Sequence, residues 1–230
     1  MKKLLLIGDS IRMNYDHYVR QALEGQALVL TPNENACFAA YTYYAIGDWE
    51  HKQRFGEDVA LVHWNVGLHD VIRIHYDEPM TPPEIYGYYL GRIIHRLKDV
   101  YPHAQQIFAL STPGRDEKYV LPWIVRKNKD IDEINRVALA VMEKNGVPVN
   151  DLASVVRGYD PDEIYADATH YNYTGSVILA KAVLNAVCPV LGVTPDLSKI
   201  HPEDETRTDI RQQRRETETG GRSLIGNSHK

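Results

Sequence analysis

The chain has 230 residues, of which 43% are hydrophobic and 25% charged. At about 150 residues per domain, that allows one sizeable core plus an appendage. A formal net charge of −5 lacks the basic excess of a phosphate-backbone binder and argues against a nucleic-acid partner, and the distant pair Cys37 and Cys188 forms neither a disulfide framework nor a zinc cluster.

Residues 3–8 are a continuous apolar run, as expected of a strand buried on both faces. The opening MKKLLLIG looks like the start of a secretory leader. Its apolar stretch, Leu4 to Ile7, is short of the ~7–15 residues such a leader needs and runs into Asp9. It reads as the first strand, and the expected location of the sequence as it stands is cytoplasmic. No window approaches the ~18 apolar residues of a membrane span, so no membrane association is expected.

A helix is predicted over 14–24, closed by Gly25, and a second strand over 27–30. Residues 38–55 read as a helix with Tyr41, Tyr44, Ala45 and Trp49 facing inward. A third strand covers 58–66. Thr81-Pro82-Pro83-Glu84 is a helix start with Thr81 as N-cap, followed by the stripe Ile85, Tyr89, Ile93, Leu97 and Val100. The fourth strand is 105–111. A helix near 130–145 carries the stripe Ile131, Ile134, Val137 and Val141, with Gly146 where a C′ glycine belongs. A short fifth strand is predicted over 147–152. A final helix over 173–187 stops before Pro189. Strands alternating with helices at this spacing imply a five-stranded parallel sheet with helices on both faces. The expected domain is 1–194. Residues 195–230 are a polar tail too poor in apolar residues to offset its ordering entropy, and so flexible in isolation. An arm docking on a second subunit is the alternative, and the oligomeric state is open.

Gly8-Asp9-Ser10 ends the first strand. In an open parallel sheet, ligands sit at the carboxyl ends of the strands near the switch point. A serine there, next to the first N–H groups of a helix, sits where developing negative charge is stabilised. Such a serine could also be a plain N-cap. As a nucleophile it needs a base and an orienter for that base. Asp167 and His170, three residues apart in YADATHYN before the last helix, supply both on the same sheet edge.

Together, Gly8-Asp9-Ser10 after the first strand and Asp167-Ala168-Thr169-His170 near the end resemble the SGNH/GDSL hydrolase family over residues 3–190. The resemblance implies a flavodoxin-like three-layer α/β/α fold. It implies Ser10 as nucleophile, His170 as base then acid, and Asp167 orienting His170, with no cofactor. The middle blocks depart from the common pattern. Pro32-Asn33-Glu34-Asn35-Ala36-Cys37 lacks the usual glycine, and Asn65-Val66-Gly67-Leu68-His69-Asp70 has Asn and Gly in reversed order, as in carbohydrate O-acetylesterases. Asn65 is carried over as oxyanion donor with the Ser10 N–H. Asn35 is a second candidate, and Gly67 belongs to the same block.

Arg12 has two readings: reaching a polar substrate, or bracing the site against a carboxylate such as Asp70. His69 and Asp70 are assigned to substrate binding or bracing. With His63 and His75 they could suggest a metal site, which the triad chemistry does not need, and none is expected. Tyr171 and Trp123 either line the cleft or pack in the core. The expected substrate is a small-molecule or glycan ester with a small acyl group, O-acetyl on a carbohydrate. An acyltransferase with the same triad and a non-catalytic carbohydrate-binding protein are the alternatives.

Overall fold

The computed structural model describes residues 1–75, 77–119 and 123–202. Five strands form one all-parallel sheet: β1 (Lys2–Ile7), β2 (Ala27–Leu30), β3 (Val59–Trp64), β4 (Gln105–Ala109) and β5 (Val149–Asn150). Their spatial order is β2-β1-β3-β4-β5, the flavodoxin-like order. The helices are α1 (Ser10–Ala22), α2 (Ala39–Gln53), α3 (Pro83–Val100), α4 (Asn128–Asn145), α5 (Leu152–Arg157), α6 (Pro161–Ile164) and α7 (Tyr173–Leu191). α1 packs on α7, which also carries α5 and α6, while α2, α3 and α4 pack in sequence with one another. The result is the expected three-layer sandwich. Leu4 to Ile7 in β1 and Val59, Leu61, Val62 and Trp64 in β3 are buried, as strands covered on both sides must be.

The departures from expectation have local causes. α1 starts at Ser10, not residue 14, because the Asp9 side chain accepts from the Ile11 N–H at 3.0 Å and caps the first turn. In α2 the inward residues are Thr42, Ala45, Ile46 and Trp49, and Tyr44 points to solvent. In α3 they are Tyr86, Leu90, Ile93, Ile94 and Leu97, with Ile85 exposed. Both inward faces lie partly one position on from the expected stripes, a rotation of the helix by about 100°. Pro82, not Thr81, is the α3 N-cap residue. The Thr81 N–H is committed to the Asp70 carbonyl. α4 buries Ile131 and Ile134 as expected, then Ala138 and Met142, and Gly146 closes it in the left-handed conformation. β5 is shorter than expected, and α5 and α6 were not foreseen.

α7 continues through Pro189 to Leu191. A proline there forfeits one bond to the Asn185 carbonyl. The burial of Val187, Cys188 and Leu191 holds the last turn in place. α7 is the one helix among the described residues long and apolar enough to cross a membrane, and half of its apolar window is buried inside the protein.

One compact unit spans Met1–Ile200. The Thr194 N–H donates to Gln26, the Asp196 N–H to the Ala22 carbonyl, and Lys199 reaches Glu24 at 3.0 Å. The remainder of the expected tail, 203–230, lies outside the described residues.

Candidate active site

The sheet changes direction between β1 and β3, so the crevice lies beyond their carboxyl ends. Ser10 leaves β1 and Asn65 leaves β3. The Asn65 N–H extends the pairing to the Ile7 carbonyl at 3.0 Å. Gly8 is where the two exits touch. A Cβ built there would stand 2.1 Å from the Asn65 Oδ1 and 2.6 Å from the Arg12 Cβ. No side chain fits, so the position is Gly. The elbow is stiff: Asp9 is fully buried, and the Ala36 N–H ties the β2 exit to the Gly8 carbonyl. As first residue of α1, Ser10 has an N–H with no intrahelical acceptor.

The Ser10 Oγ lies 2.8 Å from the His170 Nε2. The His170 Nδ1 lies 2.8 Å from the Asp167 Oδ2. With Nδ1–H donating to the carboxylate, Nε2 is the acceptor for the serine hydroxyl. Asp167 also accepts from the backbone N–H groups of Thr169 and His170, both at 2.7 Å. Burial pushes the Asp167 carboxyl up, but these N–H groups and the His170 ring outweigh it and hold it below the ordinary carboxylate range. An ionised carboxylate next to Nδ1 fixes the ring's tautomer and orientation. The loop itself is anchored from below. Tyr165 and Tyr171 form an antiparallel bridge, the Tyr165 hydroxyl donates to the Pro113 carbonyl at 2.7 Å, and the Arg115 N–H donates to the Ala168 carbonyl. Tyr171 is buried and packs beneath the loop. Trp123 is exposed and meets His75 edge to face.

Asn65 is brought to the elbow. Its Oδ1 is buried with no hydrogen-bond partner among the described residues. Asn35 spends its Oδ1 on the Cys37 N–H at 2.8 Å, shaping the loop after β2. Gly67 faces away into the core. At φ +148° its missing Cβ would stand 2.5 Å from the Ser111 Oγ and 2.7 Å from the Ile134 Cδ1, so its role in the loop is conformational.

Arg12 does not pair with Asp70. It pairs with Asp16 at 2.6 Å, one helical turn on, and donates to the carbonyls of Pro32 and Glu34. Asp70 instead accepts from the Ala39 N–H at 3.0 Å, capping α2, whose own N-cap residue Phe38 has no side-chain acceptor. His69 packs edge-on to Phe38. Its pKa is lowered, first by burial and then by the charges of Arg126 and His170, against the opposing pull of Asp9. His63 is buried within the sheet, 3.1 Å from the Asn150 Nδ2, and burial lowers it to about 4. Among the described residues no three His, Cys, Asp or Glu side chains converge.

Arg126 and Thr169 were missed. Arg126 sits in what the sequence shows as a polar connection between β4 and α4. Thr169 lay in plain view between Asp167 and His170.

The chain's fold matches solved structures of ester-cleaving proteins. A lipase/acylhydrolase from Enterococcus faecalis superposes with a TM-score of 0.65 at 16% identity, covering 89% of this chain and 100% of that one. The acetyl xylan esterase AlAXEase gives 0.64 at 15%, covering 80% and 99%. A member of the lipolytic G-D-S-L family from Veillonella parvula gives 0.61 at 17%, covering 80% and 97%. No family model and no curated sequence matches. At these identities the likeness establishes the SGNH-hydrolase fold.

Proposed function

We propose that the protein is a serine ester hydrolase of the SGNH/GDSL type that removes a small acyl group, O-acetyl, from a carbohydrate. The observation that carries this reading is the unbroken chain Ser10 Oγ, His170 Nε2, His170 Nδ1, Asp167 Oδ2, with both links at 2.8 Å. His170 takes the Ser10 proton as the oxygen attacks the acyl carbonyl, and an acyl-enzyme forms as His170 returns that proton to the leaving sugar oxygen. Water, activated by the same ring, then releases the acid. Asp167 stays ionised and steadies the imidazolium. The Ser10 N–H and the Asn65 amide are the donors for the oxyanion.

One feature supports water as acceptor. The side chains of His170 and Asp167 are 40% and 57% exposed, so water reaches the base freely. The acetyl xylan esterase among the similar folds is consistent with a sugar as leaving group.

The test is acetate release from p-nitrophenyl acetate and from acetylated xylan by the wild type and Ser10→Ala. Replacing the nucleophile is expected to lower kcat by about 10⁴–10⁶. Turnover that survives the substitution overturns the reading. Acylated sugar formed with little free acid replaces hydrolysis with transfer by the same triad. Binding of acetylated glycan without any Ser10-dependent turnover revives the non-catalytic alternative.

A further inference from the structure

Three arginines are buried among the described residues: Arg12, Arg73 and Arg126, 2%, 7% and 9% exposed. Arg12 is matched by Asp16. Arg73 is gripped by both oxygens of Asp130, at 2.7 and 2.9 Å. Arg126 has no carboxylate within ion-pair reach among the described residues. Its Nε donates to the Leu68 carbonyl at 2.6 Å and its Nη1 to the Thr169 Oγ1 at 3.4 Å. These neutral acceptors hold the guanidinium in place without balancing its charge.

Four carboxylates of the loops and helix starts on this side of the fold are committed elsewhere. Asp130 belongs to Arg73, Asp70 to the Ala39 N–H, Asp116 to the Asn128 N–H and Asp167 to His170. Asp9 keeps one buried oxygen without a partner, yet it does not reach Arg126. A buried guanidinium with no counter-charge is costly to keep out of water. A structure that leaves such a cation unmatched leaves it for something that arrives.

The place is informative. Leu68 belongs to the loop that carries Asn65, and Thr169 directly precedes His170. Arg126 therefore joins the oxyanion side of the site to the base side. A guanidinium has five N–H groups. Two are used here, and the three that remain match the two oxygens of one carboxylate.

We infer that Arg126 is a substrate-binding residue that pairs with a carboxylate carried by the ester, so that the protein selects acidic esters over neutral ones of the same shape. The inference rests on the ester-hydrolase reading and names the substrate class for it. The carboxylate can belong to the sugar, as in an acetylated uronic acid, or to the acyl group, as in a succinyl ester.

Two matched pairs separate these sources: O-acetyl glucuronic acid against O-acetyl glucose, and p-nitrophenyl hemisuccinate against p-nitrophenyl butyrate. In the wild type, kcat/KM for the acidic member of one pair is expected to exceed its neutral partner by about tenfold or more. Arg126→Gln should bring that ratio close to one, and Arg126→Lys should restore part of it. A wild-type ratio at or below one in both pairs overturns the inference. So does an Arg126→Gln variant that loses equally on both members, which would make Arg126 a brace between Leu68 and Thr169. A binding arm runs without turnover: sodium glucuronate and sodium succinate are titrated into Ser10→Ala while Tm is followed. A rise that the added Arg126→Gln substitution removes supports the anion site even where no ester is cleaved. No rise with either anion counts against it. Absence of Ser10-dependent turnover on every ester, with the Tm response intact, would sink the hydrolase reading alone.

Discussion

The nucleophile and the base of the candidate triad are held by opposite means. Ser10 stands on an elbow made of buried parts: Asp9 is fully buried, Arg12 is 2% exposed, and Gly8 is pressed against Asn65. His170 stands on an open loop, and its partner Asp167 is more than half exposed. Packing fixes the first. Three hydrogen bonds to one carboxylate fix the second. Damage on the base side should therefore appear in turnover with little loss of stability, and damage on the nucleophile side in stability and turnover together.

Short of removing the Ser10 hydroxyl itself, the largest expected effect is on the base side. In Asp167→Asn, an amide replaces the oxygen that receives the His170 Nδ1–H. The ring is driven toward the wrong tautomer, and kcat should fall about 10⁴-fold. Because the side chain is exposed, the stability change should stay within about 1 kcal/mol. Kinetics beside thermal unfolding check both halves. A variant that unfolds early would show that the loop depends on this carboxylate for folding, and the contrast would break.

On the nucleophile side, Arg12→Met removes the partner of Asp16 and the donor to the carbonyls of Pro32 and Glu34. A largely buried carboxylate is left unpaired, at a cost of about 3–5 kcal/mol. For a domain of this size, Tm should fall by roughly 6–20 °C. A small shift in Tm would mean that the elbow stands without its brace.

Gly8→Ala sharpens the comparison, because it strains packing and chemistry at one point. The new methyl collides with the Arg12 Cβ, near the backbone, and with the end of the Asn65 side chain, which can yield. Overpacking of this kind costs about 1–3 kcal/mol. Displacing Asn65 as it yields should cost about 10²-fold or more in kcat. Lost stability with full turnover would remove Asn65 from the oxyanion role.

The same contrast explains what was legible in the sequence. The apolar run into Gly8-Asp9-Ser10 and the Asp167/His170 spacing are short-range patterns, and each placed its residues on the correct sheet edge. The strands, the parallel sheet and the C′ glycine at Gly146 were readable for the same reason. The faces of α2 and α3 were misread because aromatic residues such as Tyr44 fit a stripe equally well when they point to solvent. Arg12–Asp16 is an i, i+4 pair and so legible in the sequence, whereas a pairing of Arg12 with Asp70 spans 58 residues and no local pattern decides it. The capping of α2 by Asp70 and the unmatched charge of Arg126 depend on which groups the fold buries. No local pattern carries that.

The smallest expected effect concerns Asp70, on the loop that begins at Asn65. Burial raises its carboxyl to about 6, against the opposing hydrogen bonds from the Thr81 side chain and then the Ala39 N–H, with the charge of Asp9 adding a smaller upward push. Its folded-state pKa thus lies above the unfolded value of about 3.9. Below pH ~4, both states carry the proton and Asp70 is neutral to stability. Between pH ~4 and ~6, the native state holds the proton longer than the unfolded chain, so stability falls as pH rises. Above pH 6, both states are ionised and the full cost, on the order of 1–3 kcal/mol, is present. Part is offset because a negative charge at the start of α2 favours the helix by about 0.3–1 kcal/mol. Asp70→Asn keeps an oxygen for the Ala39 N–H and cannot ionise. Urea unfolding at pH 4 and pH 7 should show the variant gaining about 1–2 kcal/mol on the wild type over that interval. Equal gaps at the two pH values would mean that the cap's charge recovers what its burial costs, and that this wall of the crevice is as indifferent to pH as the apolar core beneath it.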